Sequence, residues 1–360
     1  MRSTAALSMA GQSIWVDNIT RRMLDSGTLE RYIRDLSVVG LTSNPTIFEK
    51  AVNGSADYDT QIRQLKSAGR TDEDTFFELA ITDLTRAADL FKGVHARTGG
   101  VDGWVSLEVS PTLAYDTATT VKVAKALHAK AGRPNLYIKV PGTPEGLPAI
   151  EELTAAGIPI NVTLLFSREQ YLAAAEAYLR GLEKRVAAGL PPVVGGVASM
   201  FVSRWEKKTA PSLPANLKNT VGIAMAQRCY RAYADFYSTD RWLALEARGA
   251  RPQRFLFAST STKDPSLRDC MYVEALAAAR TVNTMPEETL LAFADHGAVR
   301  SVLAPGDDKH EATLAAVEKA GVDLSACGAA LQREGADSFV ASWRTLIAAI
   351  ESKAATVKSA

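Results

Sequence analysis

The stretch 136–142 reads Leu-Tyr-Ile-Lys-Val-Pro-Gly, a β-rich run that ends at a Pro-Gly turn signal. Side chains along a strand alternate between two faces, so Tyr137 and Lys139 share the face opposite to the three aliphatic residues. A lysine in the middle of such a run is costly to bury unless its charge is paired. The stretch therefore predicts a buried strand that turns a functional amine inward.

Eight short apolar segments of this kind alternate with longer segments of helical periodicity, which is the pattern of parallel βα units. An α/β barrel needs about 250 residues and accepts insertions, so eight units in 360 residues favour a closed barrel over an open sheet. We predict an α/β fold, a (β/α)8 TIM barrel, in a single domain spanning residues 1–360. The predicted strands are Ser13–Asp17, Val38–Ser43, Trp104–Val109, Leu136–Val140, Pro159–Leu164, Val193–Ser199, Arg254–Ser259 and Thr281–Thr284.

The segments between these strands predict additional helices at three places: between strands two and three, after strand six, and at the C-terminus. Three helices fit between the second and third strands, and residues 287–360 form a helical extension. Ser167 is a predicted N-cap. The other predicted features are helices Ala114–Ala131, Arg168–Ala188, Asn219–Ala247 and Glu287–His296, a loop Lys207–Lys218, and a helical tail Lys309–Lys353.

The composition excludes several classes of protein. A net charge of +1 gives no electrostatic footprint for nucleic acid or an anionic membrane. The three cysteines and four histidines are scattered, so no metal motif and no Ser-His-Asp triad is predicted. The first residues do not resemble a signal peptide, and no apolar run reaches the roughly 18 residues of a membrane span. We expect a cytoplasmic protein with no membrane or nucleic-acid partner.

The same alternation turns polar side chains inward on four further strands, at or near their carboxyl ends, where barrel enzymes place their sites. These residues are Asp17, Asn44, Glu108, Asn161 and Thr163. Each also has a structural interpretation. Asp17 could cap a helix over residues 18–25, Glu108 could form a structural ion pair with Lys139, and Asn44 could be a turn residue before a proline. The two residues of strand five, Asn161 and Thr163, could bond loop backbone.

An inward lysine in an enclosed site suits one chemistry. Burial favours the neutral amine, which can attack a ketone to form an imine. The protonated imine then accepts the electrons of a neighbouring C–C bond as that bond breaks. Proton transfers in these steps need acid/base groups, and Asp17 and Glu108 on separate strands supply them.

These residues lie in segments that resemble transaldolase motifs and occur in the order found in that family, over roughly residues 12–300. Two later segments, Ala258–Pro265 and Thr281–Pro286, resemble the longer-chain bacterial branch. The earlier segments are Trp15–Asn18, Thr42–Thr46, Ser106–Val109, Ile138–Pro141, Asn161–Ser167 and Ser199–Arg204.

The resemblance implies a role for each candidate residue. Lys139 forms the Schiff base, Asp17 is the acid/base of C–C cleavage, and Glu108 acts with Thr163 through a water. No metal or organic cofactor is implied, and the partners are sugar-phosphate substrates, bound by a monomer or homodimer. Asn44, Asn161 and Ser199 would hold substrate hydroxyls, and Arg204, Ser259 and Lys263 would bind phosphate.

The implied reaction moves dihydroxyacetone from sedoheptulose 7-phosphate to glyceraldehyde 3-phosphate. Two alternatives stay open: a lysine-dependent fructose 6-phosphate aldolase that releases free dihydroxyacetone, and a non-catalytic sugar-phosphate-binding barrel. The chain departs from the shorter-chain branch of the family at three positions. Lys263 stands in the region where that branch has a phosphate-binding arginine, and Ser203 and Met200 stand where it has glycine and proline, respectively.

Overall fold

Eight parallel strands form a closed barrel in chain order in the computed structural model, which describes residues 2–357. The predicted fold class is therefore confirmed, with every predicted strand in place. The strands are β1 (Gln12–Asp17), β2 (Val38–Thr42), β3 (Trp104–Glu108), β4 (Leu136–Pro141), β5 (Ile160–Leu165), β6 (Gly196–Phe201), β7 (Arg254–Ala258) and β8 (Thr281–Met285).

Sixteen α-helices surround the barrel in the described part of the chain, and three of them fill the gap between β2 and β3 as predicted. They are α1 (Ser3–Met9), α2 (Arg21–Asp25), α3 (Thr28–Asp35), α4 (Pro45–Gly54), α5 (Asp59–Ser67), α6 (Asp72–Arg97), α7 (Thr117–Ala131), α8 (Gly146–Ala155), α9 (Arg168–Ala187), α10 (Arg204–Thr209), α11 (Val221–Phe236), α12 (Asp240–Glu246), α13 (Met271–Ala275), α14 (Glu287–His296), α15 (Lys309–Lys319) and α16 (Leu324–Val357).

Two details after β6 differ from the prediction. The single helix predicted over residues 219–247 is two helices, because the Thr239 side chain accepts a hydrogen bond from the Trp242 amide and caps a new helix, α12. The predicted loop Lys207–Lys218 begins inside α10 and continues as two short 3-10 turns, Ala210–Ser212 and Ala215–Leu217.

An aromatic stack fills the barrel below the carboxyl ends of the strands. The Tyr137 ring lies 4.1 Å from that of Trp104 and 6.1 Å from that of Trp15, measured between centroids. Gly40 and Gly195 make room for it, because a Cβ at either position would lie within 3 Å of an indole ring atom. At the level of this stack the barrel is thus a packed core rather than a pore.

The C-terminal helix α16 lies against the carboxyl end of the barrel. Its Gln332 amide donates to the carbonyl oxygens of Gly142 and Leu164, at 2.9 and 3.0 Å, just beyond β4 and within β5. Farther along the helix, the Trp343 ring packs against those of Phe76 and Phe77 on α6. No helix in the range 2–357 combines the length and apolar character needed to cross a membrane.

Candidate active site

Lys139 and Glu108 lie side by side because their positions on β4 and β3 are paired in the parallel register. The Lys139 Nζ atom is 3.2 Å from Glu108 Oε2 and 3.1 Å from the Ser43 carbonyl oxygen. Both side chains are buried, with 6% of each exposed. The inward direction predicted for this lysine and this carboxylate is therefore what the structure has, and their charges are paired.

Asp17 faces the barrel interior from the end of β1. Its Oδ1 atom accepts a 2.5 Å hydrogen bond from the Thr42 hydroxyl on β2. The following helix begins at Arg21 and is capped by the Thr20 side chain. The alternative in which Asp17 caps a helix over residues 18–25 is therefore wrong.

Burial sets the protonation behaviour of the two carboxyl groups. It raises the pKa of Asp17 above its usual value, although the Lys139 charge and the Thr42 hydrogen bond oppose the shift. Burial also raises the pKa of Glu108, again against the charge of Lys139. Carboxyl groups whose pKa is shifted toward neutrality are suited to general acid/base work.

A cavity of about 720 Å³ opens at the carboxyl ends of the strands, and seven of the ten predicted site residues line it. The other three, Glu108, Asn161 and Thr163, are buried but are not part of its wall. The seven are Asp17, Asn44, Lys139, Ser199, Arg204, Ser259 and Lys263.

The predicted hydroxyl-binding residues make hydrogen bonds to their neighbours. The Ser199 hydroxyl donates to Asn161 Oδ1 at 2.7 Å, and Asn161 Nδ2 donates to the Ser106 hydroxyl at 3.1 Å. The Asn44 side chain accepts a hydrogen bond from the Ile47 amide and so caps α4. This local structural role agrees in part with the alternative that Asn44 is a turn residue, but Asn44 also lines the cavity. The Thr163 hydroxyl is buried and has no hydrogen-bond partner among the described residues.

Arg204 provides a cation on the cavity wall. Its guanidinium carbon lies 5.2 Å from the Phe201 ring centroid and 5.5 Å from that of Phe339. Within residues 2–357 the structure shows no ion pair or hydrogen bond from this guanidinium. An arginine that lies beside two aromatic rings and makes no direct ion pair among the described residues is arranged to receive an anion.

The two other predicted phosphate ligands are placed differently from Arg204. The Ser259 hydroxyl forms a 2.8 Å hydrogen bond with that of Ser203, and residue 259 has a left-handed backbone with φ of 57°. Lys263 is exposed at the edge of the cavity. The structure therefore brings Ser259 and Lys263 to the same cavity as Arg204; Arg204 and Ser259 are half-buried, and Lys263 is exposed.

Several cavity residues were missed by the sequence analysis. Phe339 comes from α16, and nothing in the local sequence shows that this helix reaches the barrel mouth. Glu287 has a clearer signal, since it lies two residues after the carboxyl end of β8, and other site residues also lie at or near the carboxyl ends of their strands. It accepts hydrogen bonds from Asn18 at 2.8 Å and from the Tyr32 hydroxyl at 2.6 Å.

Comparison with known proteins gives a consistent result. The model of the family described as Transaldolase/Fructose-6-phosphate aldolase matches residues 14–350. A transaldolase of Acidothermus cellulolyticus is 46% identical over 354 residues, which are 96% of this chain and 95% of the relative. Transaldolases of Thermobifida fusca and Saccharopolyspora erythraea are 45% and 44% identical, and in each case 95% of both chains is covered.

Proposed function

The chain belongs to the transaldolase/fructose-6-phosphate aldolase family, and from that premise we propose that it is a transaldolase acting through a Schiff base on Lys139. The donor is sedoheptulose 7-phosphate and the acceptor glyceraldehyde 3-phosphate, with erythrose 4-phosphate and fructose 6-phosphate as products of this non-oxidative pentose phosphate reaction. The observation that carries the proposal is a buried lysine amine on the wall of a cavity that is also lined by Asp17 and Arg204.

The reaction begins with attack of the neutral Lys139 amine on the ketose carbonyl carbon. A carbinolamine forms, the former carbonyl oxygen leaves as water, and a protonated imine remains. Glu108, 3.2 Å from the amine, exchanges the protons of this step. Thr163, whose buried hydroxyl has no protein partner among the described residues, would hold the water through which Glu108 acts.

Cleavage follows when Asp17 takes the proton from the hydroxyl on the carbon to be released. That oxygen becomes a carbonyl, the C–C bond breaks, and its electron pair moves into the imine to give an enamine. The released aldehyde leaves and the acceptor aldehyde enters. Reversal of the same steps, with Asp17 returning its proton to the new hydroxyl, completes the transfer. Burial raises the pKa of Asp17, which suits a group that both accepts and donates a proton during the reaction.

Substrate orientation would come from polar groups around the amine. The Asn44 and Ser199 side chains line the cavity and would hold hydroxyls of the three-carbon unit, with Asn161 supporting Ser199 through their 2.7 Å hydrogen bond. Arg204 would take the phosphate group, because its planar guanidinium can bind two phosphate oxygens at once. Ser259 and Lys263 would assist at the open side.

Trapping the imine tests the proposal. The protein is incubated with fructose 6-phosphate, reduced with borohydride, and mapped by mass spectrometry. We expect a stable adduct on Lys139 that is absent from Lys139→Ala. Lys50 also lines the cavity but is exposed, so Lys50→Ala is a matched control that should keep the adduct. A folded protein with no adduct, or with one on Lys50 instead, contradicts the mechanism.

A second experiment separates the transferase from the hydrolytic alternative. Fructose 6-phosphate is supplied with and without erythrose 4-phosphate, and free dihydroxyacetone is measured. A transaldolase should release almost none without acceptor and form sedoheptulose 7-phosphate when the acceptor is present. Steady release of dihydroxyacetone without acceptor would establish the fructose 6-phosphate aldolase instead.

We also infer that the enzyme works in the cytoplasm as a monomer or homodimer. In support, the three cysteines, Cys229, Cys270 and Cys327, are all free thiols, as is usual in a reducing compartment. Light scattering of the purified protein measures its mass in solution, and a mass above that of two 38.6 kDa chains contradicts the inferred assembly.

A further inference from the structure

Three side chains with different ligand atoms meet away from the substrate cavity, between the β7–β8 loop and the end of α14. The His296 Nε2 atom lies 2.9 Å from Asp269 Oδ1 and 3.9 Å from Cys270 Sγ. All three ligand atoms lie within 4.8 Å of one another. Cys270 and His296 are 26 positions apart in sequence, so no metal-ligand spacing was visible in the sequence.

The spacing of these atoms can be compared with that of a bound ion. For tetrahedral zinc with bonds of about 2.0–2.1 Å to nitrogen and oxygen and about 2.3 Å to sulfur, neighbouring ligand atoms lie roughly 3.3–3.6 Å apart. The observed 2.9 and 3.9 Å differ from these values by only a few tenths of an ångström. The third pair of ligand atoms, on Asp269 and Cys270, is no more than 4.8 Å apart, so an ion that contacts all three residues requires rotation of their side chains.

The histidine also has the outer partner that metal-binding histidines usually have. Its Nδ1 atom lies 3.2 Å from Asp295 Oδ2, so a carboxylate orients the ring and turns Nε2 toward the ligand atoms of Asp269 and Cys270. We propose that Asp269, Cys270 and His296 bind a divalent transition-metal ion of the zinc type. The thiolate and imidazole disfavour Mg²⁺ and Ca²⁺, which prefer oxygen ligands.

The cluster suits a metal better than nucleophilic catalysis. Cys270 is fully buried, so a substrate could not reach its sulfur, and Asp269 competes with the thiol for the same histidine nitrogen. His296 and Asp269 are about half exposed, so a fourth ligand position faces solvent and would take a water. Binding releases the thiol proton, because sulfur ligates as a thiolate.

The location links this ion to the proposed phosphate ligands. Asp269 and Lys263 line a second cavity, of about 460 Å³, and Lys263 also lines the main one. Helix α14 contributes Glu287 and Leu291 to the main cavity. A bound ion would therefore tie the loop that carries Lys263 to helix α14, which also lines the main cavity.

The test is metal binding by the full chain after removal of metals with a chelator. Zn²⁺ is titrated by calorimetry, and Co²⁺ is followed through the near-ultraviolet absorption band of a cobalt–thiolate bond. We expect one ion per chain and a cobalt–thiolate band. Cys270→Ser should lose the band, and His296→Asn should weaken zinc binding more than the roughly 10- to 100-fold expected for Asp295→Asn, which removes only an outer partner.

Cys327→Ser is the matched control, since this half-buried cysteine on α16 lies outside the cluster and should leave binding unchanged. Thermal unfolding without metal checks that the variants fold. Absence of zinc binding, or a cobalt–thiolate band that persists in Cys270→Ser, overturns the proposed site. Metal binding is measured without substrate. A negative result in the zinc titration is therefore distinct from a failure to trap the imine on Lys139.

Discussion

At the scale of single residues, the site buries charged side chains that add little to the stability of the fold. The Lys139–Glu108 pair is almost fully buried, and the cost of desolvating two charges offsets much of their attraction. Asp17 is buried as well, and its hydrogen bond from Thr42 does not prevent the rise in its pKa. Such an arrangement is better explained by chemistry than by stability.

Asp17→Asn should therefore stabilise the fold while removing activity. Because burial raises the pKa of Asp17 in the folded state, its ionised form costs folding free energy above that pKa. We expect the variant to have a larger free energy of unfolding than the parent at pH 8. The gain should shrink as the pH falls through the folded pKa and vanish below the unfolded value near 4. Urea unfolding at several pH values measures it.

Proton transfer by Asp17 should contribute about 10²–10⁴-fold to kcat, so the same variant should lose activity by that factor. Asp57→Asn is the control, since Asp57 is exposed and should change neither stability nor rate. If Asp17→Asn is less stable than the parent at every pH, the interactions with Lys139 and Thr42 outweigh the burial cost and the argument fails.

Arg204→Lys tests the phosphate assignment, because it keeps the charge and removes the planar fork. We expect kcat/KM for fructose 6-phosphate to fall about 10- to 100-fold, mainly through KM, with little change for unphosphorylated fructose. Lys263→Ala should have a smaller effect, because Lys263 is exposed at the cavity edge. A larger loss in Lys263→Ala than in Arg204→Lys would reverse the ranking of the two cations.

At the scale of whole elements, sequence periodicity and capping signals were sufficient where the information is local. Helix α9 begins after Ser167 as predicted, and the structure shows a full capping box with Gln170. The break after α11 was missed, because amphipathic periodicity continues across it and the Thr239 cap was not recognised. Strand alternation gave the inward direction of Glu108 and Asn161, but not their depth behind the cavity wall.

The path of α16 could not be predicted, because it depends on contacts between residues far apart in sequence. Leu164 has a left-handed φ of 62° at an irregularity in the β5–β6 register. Its carbonyl oxygen accepts from Gln332, and Gly335 passes close to its side chain. Helix α16 therefore packs against the irregular part of β5, and this contact positions Phe339 over the site.

Phe339 should keep the reaction sheltered from water. Its ring centroid lies 5.9 Å from Lys139 Nζ and 5.5 Å from the Arg204 guanidinium carbon. Phe339→Ala should lower transfer and raise the share of enamine that is protonated to free dihydroxyacetone, measured as the ratio of the two products. Phe339→Leu, which costs less packing free energy, should show the same trend more weakly.

Phe236→Leu on α11 removes a similar ring outside the cavity wall and should leave that product ratio unchanged. An unchanged ratio in both Phe339 variants, with the fold intact, would mean that α16 does not control access of water. The outcome would leave the Schiff-base chemistry of Lys139 untouched, because imine trapping is measured separately.

At the scale of the whole molecule, the site depends on closure of the barrel beneath it. β1 pairs with β8 and with β2, so a local expansion would be transmitted around the sheet. A closely packed interior has no empty space to absorb such an expansion.

The single-domain organisation that we propose predicts one cooperative unfolding transition for barrel and C-terminal helices together, because α16 packs on α4, α5, α6 and β5. Two separate transitions in calorimetry would contradict it.

Gly40→Ala tests whether the site depends on the packed barrel beneath it, because the substitution adds a single methyl group to that packing. A Cβ at Gly40 would lie 2.6 Å from Trp15 Nε1 and 2.8 Å from the Trp104 carbonyl oxygen, so the aromatic stack must shift. Overpacking of this kind costs about 1–3 kcal/mol, measured by urea unfolding. Gly54→Ala is the control, because nothing lies within 4 Å of its added methyl group. Since Gly40 lies below the cavity, the folded fraction should still trap the imine. Equal stability of the two variants would show that the stack can move, and that the packed floor does not fix the strands that carry Asp17 and Lys139.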